Sequence, residues 1–373
     1  MKIFILGSDK MVKAFIAFLI AVLVAYIATP LVMRLAKLVG AIDVPKDDRR
    51  VHKVPTPLLG GLAIFLGFMA GLLYYTDINL NMLEVHTGAG IIKMLGVLTG
   101  AGIIVVMGFF DDINPLPAKF KFIVQIVAAS VAVYSGIRIN SVTNPLYFIL
   151  KGSEYIKFGI WSYPLTIFWI VGVTNAINLV DGLDGLAAGI STISAVTLLI
   201  AAVSNGQIFA AMLAAILAGA TIGFLPYNFN PAKIFMGDTG ALFLGYMLSV
   251  ISVMGVLKGA AALSILVPIF AIGLPIFDTL FAMIRRALSG KSMMEADKGH
   301  LHHKLLDAGM SQKQAVLTLY SISAVLGFSA VALVEVTLKV AFVLVFAVFL
   351  LASMGVKYLR LIEIERRGKK ADL

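Results

Sequence analysis

Residues 12–33 read VKAFIAFLIAVLVAYIATPLVM, and Lys13 is the only charged side chain among them. A bilayer core about 30 Å thick asks for about 20 such apolar residues per helix. The same kind of block recurs near 58–75, 90–110, 120–137, 160–177, 186–204, 207–225, 240–257, 260–284, 314–333 and 336–358. Composition points the same way. Of 373 residues, 60% are hydrophobic and 13% charged, with mean hydropathy +0.98. Soluble domains average roughly 45–50% apolar and about 25% charged. The expected fold class is all-α, a polytopic transmembrane helical bundle of about eleven helices, with residues 1–373 forming a single integral membrane domain. The first block is too long for a signal-peptide core and no A-x-A-like site follows it, so it is expected to stay as a helix.

Cysteine is absent, which excludes disulfides, a thiolate nucleophile and cysteine-based metal sites. The net charge of +10 would suit nucleic acid in a soluble protein, but here the placement of the charge decides. With the loops alternating between two sides, 21 of the 30 basic residues fall on one of them, among them Arg34, Lys53, Lys121, Lys233, Arg285 and Lys304. That side is expected to be cytoplasmic, with the N-terminus outside and the C-terminus inside a cytoplasmic (inner) membrane. The basic residues are thus explained by the lipid bilayer, and no nucleic-acid partner is expected. The outer segment 138–159 reads as a short polar hairpin or surface segment.

The unusual polar residues gather on that same side. Asp111 and Asp112 lie in GFFDDINP, directly after an apolar block. Adjacent carboxylates beside apolar residues repel unless a cation or proton sits between them, although a helix cap is a competing reading. Asn175, Asn178, Asp181 and Asp184 lie in NAINLVDGLDG, where the glycines allow a ligand close to the backbone. With Asp181 and Asp184 three apart at a helix start, they are expected to project to similar sides; a plain turn is the alternative. In FMGDTG, Asp238 leads into an apolar helix whose N-terminus suits phosphate, and its carboxylate suits Mg²⁺. His300, His302 and His303 lie in HLHHKLL among basic neighbours, which favours an anion such as pyrophosphate. Carboxylates for a hard cation, helix N-termini and a basic lid are the parts of a phosphoryl-transfer site, and its place at the membrane surface suggests a lipid substrate. Asp278 stands apart, an acid within an apolar block about two turns before Arg285. Function and a structural pair are both open for it.

In order along the chain come DVPKDDRRVHKVPTPLLGG, GFFDDINPLPAKFK, NAINLVDGLDGLAAG, NPAKIFMGDTGALFLG, PIFDTLFAMIRR and HLHHKLLDAGMSQKQAV. On these six motifs, from about Asp43 to Gln314, the sequence resembles the polyprenyl-phosphate N-acetylhexosamine-1-phosphate transferases. It is most similar to the branch that makes undecaprenyl-diphospho-N-acetylglucosamine. The resemblance implies transfer of N-acetylglucosamine 1-phosphate from UDP-N-acetylglucosamine to undecaprenyl phosphate with release of UMP, the first membrane step of cell-envelope polysaccharide synthesis, with Mg²⁺ or Mn²⁺ required. It implies Asp238 as metal ligand, and Asp111 and Asp112 as the pair of which one deprotonates or positions the lipid phosphate. Asn175, Asn178, Asp181 and Asp184 match the nucleotide-binding loop, Phe235 an aromatic stacking on uracil, and Lys53 a basic residue near the nucleotide. His300, His302 and His303 match the loop for pyrophosphate and sugar. A homodimer is an expectation of the resemblance alone.

The HxHH form favours the N-acetylglucosamine branch over a phospho-N-acetylmuramoyl-pentapeptide transferase, again by resemblance. The reading from a different class is a transporter for anions or nucleotide sugars. Transporters place binding residues near the midplane and show repeated halves, whereas here the polar residues sit in loops on one side and no internal repeat is evident. A purely structural envelope scaffold gives no reason for the acidic and histidine clusters.

Overall fold

The computed structural model describes residues 8–45, 54–79, 88–144, 153, 155–255, 265–290, 299–336, 340–348 and 350. It is an all-helical bundle with two small antiparallel hairpins. Among the described residues, seven helices are long and apolar enough to cross a membrane. The chain is a multi-pass membrane protein.

The helices follow the apolar blocks: α1 (Ser8–Val39), α2 (Gly60–Asn79), α3 (Gly88–Ile113), α4 (Ala118–Tyr134), α5 (Ser162–Val180), α6 (Leu186–Ser204), α7 (Ile208–Asn228) and α8 (Gly237–Gly255). Beyond them come α9 (Leu266–Ala271), α10 (Gly273–Leu288), α11 (Leu301–Asp307) and α12 (Gln312–Glu335). The block at 260–284, expected as one span, is instead broken between α9 and α10 at Ile272, whose φ and ψ of −110° and 22° lie outside the helical range. Pro268 and Pro275 flank the break, and a proline inside a helix removes a hydrogen bond and crowds the preceding turn. Of the expected last span, residues 340–348 and 350 are helical.

The core is organised around α8. Every residue from Thr239 to Gly255 is buried, the mark of a helix surrounded on all sides by protein. It packs against α2, α3, α5, α6 and α7. Close approach is obtained with small residues: a Cβ at Gly61 would fall 2.0 Å from the Gly240 nitrogen, and one at Gly245 2.6 Å from the Thr174 Cα. Small residues at such crossings let backbones pack where lipid gives no hydrophobic drive. In contrast, α1 and α3 keep Phe15, Leu23, Leu31, Val106 and Phe110 exposed, a lipid-facing surface.

Within 138–159, expected as a short polar hairpin or surface segment, β3 (Ser141–Thr143) pairs antiparallel with β4 (Tyr155–Lys157), Ser141 opposite Lys157 and Thr143 opposite Tyr155. A second hairpin, β1 (Ile42–Asp43) with β2 (Thr56–Pro57), lies beside the α8 N-terminus. Pro57 accepts the Phe235 N–H, and the Gly60 and Gly61 N–H groups donate to Phe235 and Met236. That strap fixes the loop entering α8.

Candidate active site

A cleft of about 760 Å³ opens at the end of the bundle where α3, α5 and α7 finish and α6, α8 and α12 begin. It is lined by Asp111, Asp112, Asn178, Asp181, Asp184, Phe235, Asp238, His302 and His303, along with the β1–β2 hairpin. Four motifs separated by up to about 190 residues in sequence therefore meet at one place.

The floor is a charged row. Lys121 Nζ on α4 donates to Asp111 Oδ2 at 3.0 Å and to Asp238 Oδ2 at 2.8 Å. Asn178 Nδ2 donates to Asp238 Oδ1 at 2.9 Å, and the Leu116 N–H to Asp111 Oδ1 at 2.7 Å. Asp111 is buried, whereas Lys121 and Asp238 remain a quarter exposed, and Asp238 lines the cleft. Lys121 is a site residue the sequence reading counted only as a basic loop residue. Its spacing after the Asp pair, in DDINPLPAKFK, was the available signal, but only the turn at 114–117 shows that it folds back over them.

The two adjacent aspartates have different partners. Asp112 Oδ1 accepts the Asp238 N–H at 2.7 Å, and its Oδ2 accepts the Thr239 hydroxyl at 2.6 Å and the Thr239 N–H at 3.2 Å. It therefore caps the N-terminus of α8 from another helix. The free N–H groups expected to seat a phosphate at Asp238 and Thr239 are thus occupied. Gly237 makes room for this: a Cβ there would fall 2.2 Å from Asp112 Oδ2, and its φ of +67° suits glycine.

Asp181 and Asp184 lie in the loop between α5 and α6 rather than in a first helical turn, so it is the loop and not helical spacing that brings them to one side. Both line the cleft, but Asp184 Oδ2 accepts from Asn230 Nδ2 at 2.9 Å and the Ala232 N–H at 3.0 Å, tying two loops together. Burial, and then the charges of Asp238, Asp112 and Asp184, push the Asp181 carboxyl up to about 8. Among the described residues, the cleft thus holds more carboxylate than its cations offset.

Asn175 is not brought into the cleft. Its Nδ2 donates to Gln125 Oε1 at 2.5 Å and to the Val171 carbonyl at 2.8 Å, a tie between α5 and α4 beneath Lys121. Lys53 lies outside the described residues. His302 and His303 line the cleft, while His300 stands behind them with Nδ1 2.9 Å from Asp278 Oδ2. His302 is buried, and burial together with the neighbouring His303 pushes its imidazole down to about 4, so it is neutral at pH 7.

The chain was compared with known proteins. Residues 94–256 match the family model described as glycosyl transferase family 4. The chain is 41% identical over 342 residues to the probable undecaprenyl-phosphate N-acetylglucosaminyl 1-phosphate transferase of Bacillus subtilis (strain 168), covering 91% of this chain and 90% of the relative. It is 36% identical to the decaprenyl-phosphate N-acetylglucosaminephosphotransferase of Mycolicibacterium smegmatis, over 84% of this chain and 80% of the relative. It is 32% identical to the phospho-N-acetylmuramoyl-pentapeptide-transferase of Halalkalibacterium halodurans, over 82% of this chain and 92% of the relative. With relatives this similar over nearly its whole length, and with the acidic cleft at the end of a polytopic bundle, the chain belongs to glycosyl transferase family 4 and is a membrane-embedded phospho-sugar transferase.

Proposed function

We propose that the protein transfers N-acetylglucosamine 1-phosphate from UDP-N-acetylglucosamine to undecaprenyl phosphate, releasing UMP, at a cleft facing the cytoplasm. The observation that carries this reading is the row Asp111–Lys121–Asp238, assembled from three helices at the end of a membrane bundle. One ammonium between two carboxylates fixes their positions and leaves the row net negative, a setting for a diphosphate that arrives with a divalent cation. Phosphoryl transfer depends mostly on positioning and charge stabilisation. The named activities of the two more similar relatives, at 41% and 36% identity, favour N-acetylglucosamine over the muramoyl-pentapeptide donor of the relative at 32%.

The geometry supports a role for each residue. Asp111 is the member of the aspartate pair that meets the row, and it positions or deprotonates the lipid phosphate, whose oxygen attacks the β-phosphorus of the donor. Asp112 holds Asp238 in place through the α8 cap. Lys121 offsets charge on the diphosphate, Phe235 offers a face for uracil, and His302 and His303 reach the pyrophosphate and sugar from the α11 side. Direct attack is the simpler route, since Asp112 is committed to backbone donors and is no free nucleophile.

The donor set fits a hard divalent cation. Among the described residues no three side chains gather as a cage, but Mg²⁺ is usually held by one or two carboxylates together with substrate phosphates. Asp238, beside the charge-crowded Asp181, would hold it. When bound, Mg²⁺ or Mn²⁺ supplies Lewis-acid charge to the diphosphate.

The test is UMP release by the purified protein with undecaprenyl phosphate, Mg²⁺ and either UDP-N-acetylglucosamine or UDP-N-acetylmuramoyl-pentapeptide. Release with the first donor alone, abolished by EDTA and by Asp238→Asn, supports the reading. Release with the second alone overturns the donor assignment, and no release with either overturns the reaction.

A further inference from the structure

We infer that Asp278 is a positioning residue: by gripping His300 and the start of α11, it sets His302 and His303 in the cleft. For its kinetic consequence this rests on the function proposed above.

Asp278 sits on α10, the half-helix that follows the break at Ile272, and does not itself line the cleft. Its side chain is 11% exposed. A carboxylate at such a depth is costly unless its oxygens find donors. Both do. Oδ2 lies 2.9 Å from His300 Nδ1, and Oδ1 accepts the Leu301 N–H at 2.9 Å. With its proton on Nδ1, His300 donates to this carboxylate.

The grip matters because α11 has no side-chain cap from its own N-cap residue, His300, and is only seven residues long. A helix this short is not stable by itself. Asp278 thus supplies from a neighbouring helix the cap that α11 lacks. Arg285, two turns further along α10, lies against the same segment, since a Cβ at Gly299 would fall 2.2 Å from its guanidinium. So α10 holds 299–301 at two points.

From that anchor the imidazoles run into the cleft. The His300 and His302 rings are nearly parallel at 5.8 Å, and those of His302 and His303 are 4.2 Å apart. His302 Nε2 rests over Gly182, where a Cβ would fall 2.5 Å away. Elsewhere on α10, Leu280, Phe281, Ile284 and Leu288 are exposed, a lipid-facing surface. Asp278 is therefore the link between a membrane-contacting half-helix and the histidines of the active site.

The experiment uses the full chain in detergent, with Asp278→Ala, Asp278→Asn and His300→Ala. One arm is amide hydrogen exchange. Asp278→Ala should speed exchange across 301–307 by about tenfold or more, a local opening, while 237–255 stays at the wild-type rate. The second arm is kinetics. The donor KM should rise on the order of 10–100-fold, as for loss of a residue that orients a ligand-binding histidine, with kcat changing less. Asp278→Asn, which keeps an acceptor for Leu301, should fall between, and the Asp278→Ala/His300→Ala pair should be no worse than the single changes. Unchanged exchange at 301–307 overturns the inference, as does faster exchange everywhere, which marks a general folding role. A loss of active fraction at unchanged KM also overturns it. If the wild type releases UMP from no donor, the proposed function falls, while the exchange arm still decides the role of Asp278.

Discussion

The carboxylate of Asp112 caps the helix that carries Asp238, its Oδ1 accepting the Asp238 N–H at 2.7 Å. The neighbouring Asp111 instead meets Lys121 at 3.0 Å. Adjacent residues at a helix end point in different directions, and in the proposed function that difference separates support from chemistry.

The separation predicts opposite phenotypes. Asp112→Ala leaves the buried Thr239 donors and the Asp238 N–H without an acceptor and should cost about 1–3 kcal/mol of stability, seen as a lower unfolding temperature. Asp111→Asn should leave the unfolding temperature within a few degrees of wild type and lower kcat on the order of 10²-fold. Equal loss of stability in both variants would defeat the division of roles.

Lys121 tests the charged row. Lys121→Gln removes an ammonium shared by two carboxylates and should lower kcat/KM about 10²-fold or more, the scale of losing one preorganised charge. Lys121→Arg should not restore activity, because a planar fork cannot replace a point charge between Asp111 and Asp238. Steady-state UMP release checks both, and wild-type rates in the arginine variant would argue for mere charge at this position.

Much of this was legible in the sequence, for physical reasons. Apolar length announces a membrane helix without any tertiary information, so the blocks were found. The break at Ile272 was missed because an apolar run reads the same whether straight or bent. The carboxylates and histidines were found because charged groups are costly near lipid and therefore stand out. Their partners were not, since Lys121 crossing from α4, Asp112 reaching α8 and Asn175 turning to Gln125 depend on which helix faces which. Asp278 showed the same limit: the sequence displayed a buried acid, and only the packing of α10 against 299–301 supplied its partners.

Gly182 offers a test of the histidine side of the cleft that touches no charge. A Cβ at this position would fall 2.5 Å from His302 Nε2, closer than atoms tolerate, so Gly182→Ala must displace the imidazole. The donor KM should rise about tenfold, the cost of about 1.4 kcal/mol, with the lipid KM unchanged. A matching rise in both KM values would place His302 elsewhere than at the donor.

The pH dependence of stability follows from His302. Its folded pKa of about 4 lies below the usual value near 6.5. Between those two values the unfolded chain binds a proton at this residue and the folded chain does not, so stability rises with pH across that window. Above about 6.5 both states are neutral at this position and its contribution is constant. As pH falls from 6.5 towards 4, the folded protein pays progressively for keeping a buried imidazole uncharged. His302→Leu removes the titrating group while keeping an apolar side chain against Gly182. Unfolding temperatures measured from pH 4 to 8 should therefore fall less steeply on the acid side for His302→Leu than for wild type, and the two curves should run parallel above pH 7. Parallel curves across the whole range would mean that His302 titrates alike folded and unfolded, and that it is more open to solvent than its place against Gly182 implies.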